Sequence, residues 1–228
     1  MNARRERTTD PLLAGFFSIS EAARLVGVGQ PLVRGWLNGY PGSGAGPVVK
    51  RDFGGTRTVS FLDLMELRFI AIFRAQKVPM PTLRKAAEQA RRDWRVSHPL
   101  ALSGAKYVTD RRKIFARAAQ ENDDATTWDM ATGQHEMWDT IVQTIEKGVV
   151  FDPSTYLARL WHPKQAFPTV VIDPRIAFGR PVIEGTRVPT AVLFRQWKAE
   201  GSKERVATWF GLSTDAVATA IEYELVAA

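Results

Sequence analysis

In the stretch FFSISEAARLVGVGQPLVRGWLNGY, apolar side chains recur at three- and four-residue intervals in two short runs. Ile19, Ala22, Ala23 and Val26 make the first, and Leu32, Val33, Trp36 and Leu37 the second. That spacing predicts two amphipathic helices, each with one inward face. Ser18 followed by Glu21 has the form of a capping box at the start of the first. Gly27 ends it, Val28 fills the turn, and Pro31 restarts the chain in a first helical turn, where its missing N–H is tolerated. The pattern predicts a helix-turn-helix whose second helix turns Gln30, Arg34 and Asn38 outward. Side chains of these types can bond base edges and phosphates from a major groove. Gly35 in mid-helix carries a local cost of about 1 kcal/mol; it reads either as room for close approach to a backbone or as mere drift.

The next segments change period. VVKRDF and TRTVSF flank Gly54-Gly55, a two-residue turn signal, and predict a β-hairpin carrying Lys50, Arg51 and Arg57. A basic hairpin after such a helix would lie as a wing along phosphates. Ser60 then caps a helix with Leu62, Met65, Phe69, Ile72 and Phe73 at helical spacing. Pro79 and Pro81 break it, and Leu83, Ala86, Ala87, Ala90 and Trp94 repeat the period. Between 97 and 165 the signal weakens. AKYVTDRRKIFARAA reads as two short strands around Asp110-Arg111, TWDMATGQ as a strand with a turn, and HEMWDTIVQTIEKG as a helix ending at Gly148. Trp128, Trp138, Phe151, Tyr156 and Trp161 read as core or interface.

The stretch TVVIDPRIAFGRPVIEGTRVPT has short β-branched runs broken at Asp173-Pro174, at Gly179-Arg180-Pro181 and at Gly185. Pro181 and Pro189 lack backbone donors, so neither suits a central strand. The segment reads as an extended arm with tight turns feeding a helix over 190–200. A second helix runs from its cap at Ser202 to Gly211. A third is capped by Ser213, with Val217, Ala220, Ile221 and Leu225 inward. This is a second helix-turn-helix. The expected fold is mainly α with small β-hairpins, in three parts. These are a winged helix-turn-helix over 1–96, an α+β connector and dimerisation segment over 97–166, and a trihelical unit over 167–228.

Composition narrows the function. A chain of 228 residues that is 45% hydrophobic can bury a real core. No apolar run has the length a bilayer needs, and MNARRERTTD has no apolar stretch behind it, which argues against a signal peptide. Cysteine is absent, so disulfides and cysteine metal sites are excluded and a reducing cytoplasm is expected. The net charge of +7 is unevenly spread: residues 1–120 hold 21 basic and 9 acidic side chains, residues 121–228 hold 10 and 15. The basic half suits a polyanion, most simply double-stranded DNA. The acidic half suits another partner or dimerisation. His98, His135 and His162 lack metal-ligand spacing, and Thr186 precedes Arg187, Val188 and Pro189 where a phosphate loop needs lysine and Ser/Thr. No enzyme activity, metal or cofactor is expected.

The order helix, turn, helix, wing, helix, helix, with SISEAARLVGV at its start, resembles the MerR-type winged helix-turn-helix. DPRIAFGRPVIEGTRVPT followed by GSKERVATWFGLSTDAVATAIEYE closely resembles a short bacterial domain of unknown function associated with antitoxins of type II toxin–antitoxin pairs. The whole layout resembles the long VapB-type antitoxins. The resemblance implies a PIN-like ribonuclease toxin as partner and repression of the shared operon. Residues 17–60, with Gln30, Arg34, Asn38, Lys50, Arg51 and Arg57, would grip operator DNA as a homodimer. Residues from about 100 onward would dimerise and hold the toxin, with Arg180 and Arg187 as donors toward its carboxylates. The third C-terminal helix departs from a DNA reader: it offers Thr214, Asp215, Thr219 and Glu222, and no base. The alternative is a stand-alone MerR-type regulator whose C-terminal half senses a small molecule or dimerises.

Overall fold

The computed structural model describes residues 14–227, apart from 41, 43 and 134; the MNARRERTTD segment lies outside them. The protein is mainly helical, with small antiparallel strand pairs. Capping boxes mark two helix starts. Ser18 and Glu21 bond reciprocally at the head of α1 (Ile19–Val26), and Ser60 and Asp63 at the head of α3 (Phe61–Ala75). Between them lie α2 (Gln30–Asn38) and β2 (Thr58–Val59), and β2 pairs with β1 (Phe17–Ser18). α4 (Met80–Trp94) follows, with the second of its prolines in the first turn.

The hairpin expected over 48–61 does not form. Val48 and Val49 are consecutive and both buried, whereas a surface hairpin with one face in solvent would expose one of the two. Their N–H groups both donate to the Trp36 carbonyl instead. Residues 46–57 are therefore a loop, and β2 finds its partner in β1, which the apolar pattern did not predict. Leu32, expected inward, is 47% exposed, and Leu225 is 57% exposed while Tyr223 takes the inward place.

The middle segment corrects two further expectations. Residues read as strands around Asp110-Arg111 form α5 (Gly104–Gln120), and TWDMATGQ contributes to α6 (Ala125–Thr132). Buried Ile114, Phe115, Ala118 and Ala119 keep helical period in the first, and that period outweighs local β-propensity. In the second, Asp124 accepts the Thr127 N–H as an N-cap. α7 (His135–Glu146) ends just before Gly148. β3 (Val149–Phe151) and β4 (Ala158–Trp161) pair antiparallel.

Aromatic packing joins this segment to the N-terminal one. Phe69 stacks on Phe73 at 4.5 Å, and Phe73 meets Phe115 at 4.8 Å and Trp138 at 5.6 Å. One core of buried residues thus runs from Phe17 to Ile172. Trp138 and Trp161 belong to it, while Trp128 is 39% exposed. A second core lies within Val170–Tyr223. It is built by α8 (Thr190–Glu200), α9 (Lys203–Phe210), α10 (Thr214–Ala227) and the pair β5 (Val170–Val171) and β6 (Val182–Ile183).

The arm between β5 and α8 is held by close approach. Gly179 has φ +82°, and a Cβ there would lie 2.8 Å from the Phe17 ring. Gly185 has φ +78° with open space around it. Gly185→Ala should cost about 1 kcal/mol, the left-handed penalty alone. Gly179→Ala should add about 1–3 kcal/mol for forcing a methyl into a packed ring. Urea unfolding of the two variants should rank them in that order. Equal midpoints would mean that the arm does not press on Phe17.

Candidate nucleic-acid interface

α1 and α2 meet through a tight turn. Gly27 adopts φ 76°, which lets the Val28 N–H reach the Ala23 carbonyl at 3.0 Å. Val33, Trp36 and Leu37 are buried, so Gln30, Arg34 and Asn38 face solvent on the opposite side of α2. Gly35 has a definite reason: a Cβ there would fall 2.1 Å from the Tyr40 ring, which folds back over the helix.

The loop after α2 is pinned to it. The Arg51 guanidinium donates to Asn38 Oδ1 at 2.9 Å and to the carbonyls of Thr56 and Thr58 at 2.8 and 2.7 Å. Arg51 and Asn38, both candidate DNA contacts, thus also bond each other. Lys50, Arg57 and Arg34 are exposed, and none makes a side-chain hydrogen bond or ion pair among the described residues. The Arg51–Asn38 bond fixes the loop to the C-terminal end of α2. Arg180 and Arg187 are exposed on the arm, Arg180 ahead of β6 and Arg187 within the turn that the Val182–Pro189 bridge closes. On α9 and α10, Glu204, Asp215 and Glu222 are exposed, as is Trp209 at 57%.

Beneath the loop lies a buried ionic cluster that sequence reading missed. Asp63 accepts the Ser60 N–H at 3.1 Å, the Asp52 N–H at 3.4 Å and a bond from His98 Nε2 at 3.1 Å. Glu66 accepts the Leu100 N–H at 3.1 Å and pairs with Arg91 at 3.4 Å. Arg91 also donates to the carbonyls of Val48 and Ser97. Asp52, Asp63 and His98 present ligand-type atoms within 4.8 Å of one another, but each group already has a partner inside the protein. Burial opposes a charged His98. The hydrogen bond to Asp63 and the charges of Glu66 and Asp52 outweigh it, and its pKa is raised above 6.5. Burial raises the Glu66 pKa, against the pull of His98 and Arg91.

The comparisons with known proteins first define a class. Residues 170–223 match a family model described as a protein of unknown function, DUF433. The particular relatives come from Mycobacterium tuberculosis (strain ATCC 25618 / H37Rv). The chain is 23% identical over 226 residues to a protein named "Putative antitoxin VapB45", covering 90% of this chain and 92% of that one. It is 26% identical over 211 residues to "Uncharacterized protein Rv2308", covering 90% and 87%. The X-ray crystal structure of Rv2018 from Mycobacterium tuberculosis shares the fold, with a TM-score of 0.66 at 22% identity over 90% of this chain and 96% of that one. These similarities support an antitoxin-like grouping. Among the described residues no helix is long and apolar enough to cross a membrane.

The cluster predicts a pH dependence. His98 has a folded pKa above its unfolded one, so the stability it contributes is complete below pH 6.5 and is lost as pH rises through the folded value. Glu66, also raised, acts with the same sign from its ordinary 4.5 upward. The urea midpoint should therefore fall on going from pH 6.5 upward, and His98→Gln should flatten that fall. An identical pH profile in the variant would show that His98 carries no charge in the folded protein.

Proposed function

We propose that the protein is a DNA-binding antitoxin that neutralises a PIN-like ribonuclease and represses its own operon. The carrying observation is that α2 turns Gln30 and Arg34 to solvent while Arg51 ties its C-terminal Asn38 to a loop with exposed Lys50 and Arg57. In this reading α1 and α2 are a helix-turn-helix, α2 enters the major groove, and the loop serves as the wing. Lys50 and Arg57 lie along phosphates and supply salt-dependent, sequence-independent affinity. Arg34 reads base edges. Two copies bind as a homodimer, with their α2 helices one turn of DNA apart, about 34 Å.

The name of the M. tuberculosis relative supports the antitoxin part. So does the charge of the C-terminal half: Asp215 and Glu222 on α10, with no base on that helix, suit a nuclease surface built to hold RNA. In this reading residues from about 100 onward dimerise and hold the toxin, and α10 does not read DNA. Arg187, on the loop that leads into α8, meets a nuclease carboxylate.

Arg34→Ala should weaken specific binding to DNA from upstream of its gene by about 1–3 kcal/mol. Lys50→Ala and Arg57→Ala should weaken binding to every duplex and lower the salt slope by about one each. Unchanged gel-shift titrations for all three would remove this region as the reader. Co-expression with the neighbouring gene should yield a stable complex with a small nuclease. If the protein binds DNA but captures no nuclease, it is a stand-alone regulator.

A further inference from the structure

We propose that the surface where the 50–57 loop meets the C-terminal arm is a second DNA-contacting surface, to which Phe178 and Arg180 contribute directly. It rests on the operator reading above and extends it to residues far outside the α1–α2 unit.

Three phenylalanines from three segments converge there. Phe16 stacks on Phe53 with ring centroids 5.3 Å apart, and meets Phe178 edge-on at 5.9 Å. The Phe16 N–H donates to the Phe178 carbonyl at 2.8 Å, which locks the arm to the start of β1. Yet the group is not core: Phe16 is 37% and Phe178 56% exposed. Adjacent large rings left in water are the signature of a surface that something covers. The backbone works to display the second ring. Ala177 and Phe178 have φ of 49° and 57°, and Gly179 follows at 82°. Two successive side-chain-bearing residues in the left-handed region are uncommon. Strain of this kind persists where the surrounding structure imposes it, and it concentrates at ligand sites.

Charge identifies the occupant. Lys50 and Arg57 flank Phe53 on the loop, and Arg180 follows Phe178 by two residues. All three are exposed, and none makes a side-chain hydrogen bond or ion pair among the described residues. The backbone N–H of Arg180 bonds the Ala177 carbonyl at 3.2 Å, so its position is fixed to the strained turn. Two carboxylates adjoining these segments are engaged within the protein. Asp52 faces His98 at 3.7 Å, and Asp173 is held by Arg175. Exposed rings with a cationic rim fit the edge of a duplex, with cations on phosphates and rings against sugars or wedged at a minor-groove step. Arg51 ties the loop to Asn38 at the end of α2. The patch therefore lies beside the recognition helix and would meet the minor groove that flanks its major groove.

The test uses the full chain, fluorescence anisotropy across a salt series, and two probes: duplex DNA from upstream of its own gene and a random-sequence duplex. Arg180→Gln should weaken binding to both by about two- to tenfold and lower the salt slope by about 0.9. Phe178→Gly keeps the left-handed turn available and should weaken binding at unchanged slope. Arg195→Gln, on the exposed surface of α8, should change neither. Arg180 and its replacement are both solvent-exposed, so this variant stays informative if Phe178→Gly loosens the arm. If Arg34→Ala weakens binding while Arg180→Gln and Phe178→Gly bind like the parent, the arm is not a DNA contact and the proposal falls alone. If the arm variants lose affinity and Arg34→Ala does not, the patch stands and the assignment of α2 as reader falls. If Arg180→Gln leaves DNA affinity intact but loses a co-expressed nuclease, or turns a dimer into a monomer by light scattering, the patch is a protein interface and the proposal is overturned.

Discussion

The pairing of His98 with Asp63 inside the protein sets the position of the loop on which the DNA reading depends. Asp63 serves three clients at once: the head of α3, the backbone of Asp52 and the imidazole from the segment after α4. Arg91 and Glu66 extend the network to the carbonyl of Val48 and the amide of Leu100. Buried ionic groups are weak evidence for stability, because desolvation cancels much of their attraction. What they do supply here is geometry. An apolar contact would tolerate sliding of the 46–52 loop, whereas directed bonds to Asp52 N and Val48 O admit one placement. That placement carries Lys50 to the surface and leaves Arg51 to reach Asn38.

The second constraint is the contact between the arm and β1. Gly15 and Gly179 let two backbones close around the Phe17 ring, with Pro174 packed alongside. The C-terminal helices thus do not hang from the chain by a free linker. The chain passes from the second core back to the first at β1, just ahead of α1. A shift of the arm would be felt at β1, and through the β1–β2 pair at the end of the loop. Coupling between the two ends of the protein, if a partner exerts it, has a short physical route.

Much of the helical layout was legible because caps and helical periods are local. Ser18 with Glu21, Gly27, Ser60, Gly201, Ser202 and Gly211 each mark an end that can be read within four residues. The wing hairpin and the middle strands were misread for the complementary reason. Gly54-Gly55 is a sound turn signal, but Val48 and Val49 are drawn inward by Trp36, a tertiary contact that no local pattern records. In α5 the apolar period at Ile114, Phe115, Ala118 and Ala119 was present but was passed over for a local β signal. The outward Gln30 and Arg34 followed from the period of α2. The Asp63–His98 pair did not, because its members lie 35 residues apart; locally Asp63 reads only as the acid of the Ser60 capping box, and His98 belongs to no motif. Phe16, Phe53 and Phe178 were likewise invisible as a group, since only the folded arm assembles them.

The uneven charge of the chain gains a structural meaning from this arrangement. The acidic half is not uniformly a surface for another partner, because its arm brings Arg180 across to the basic half. Beyond the Val182–Pro189 bridge, α8 and α9 mix Arg195, Lys198 and Arg205 with Glu204, and only α10 presents Asp215 and Glu222 with no cation. The acidic face is therefore that of the last helix, and its boundary does not fall at the midpoint of the sequence. A duplex resting on Arg34, Lys50, Arg57 and Arg180 would be repelled if it reached the α10 face. A cationic partner on α10 would be repelled if it reached the loop. Like-charge repulsion thus gives each surface a reason to exclude the other's ligand, beyond whatever attraction it offers its own.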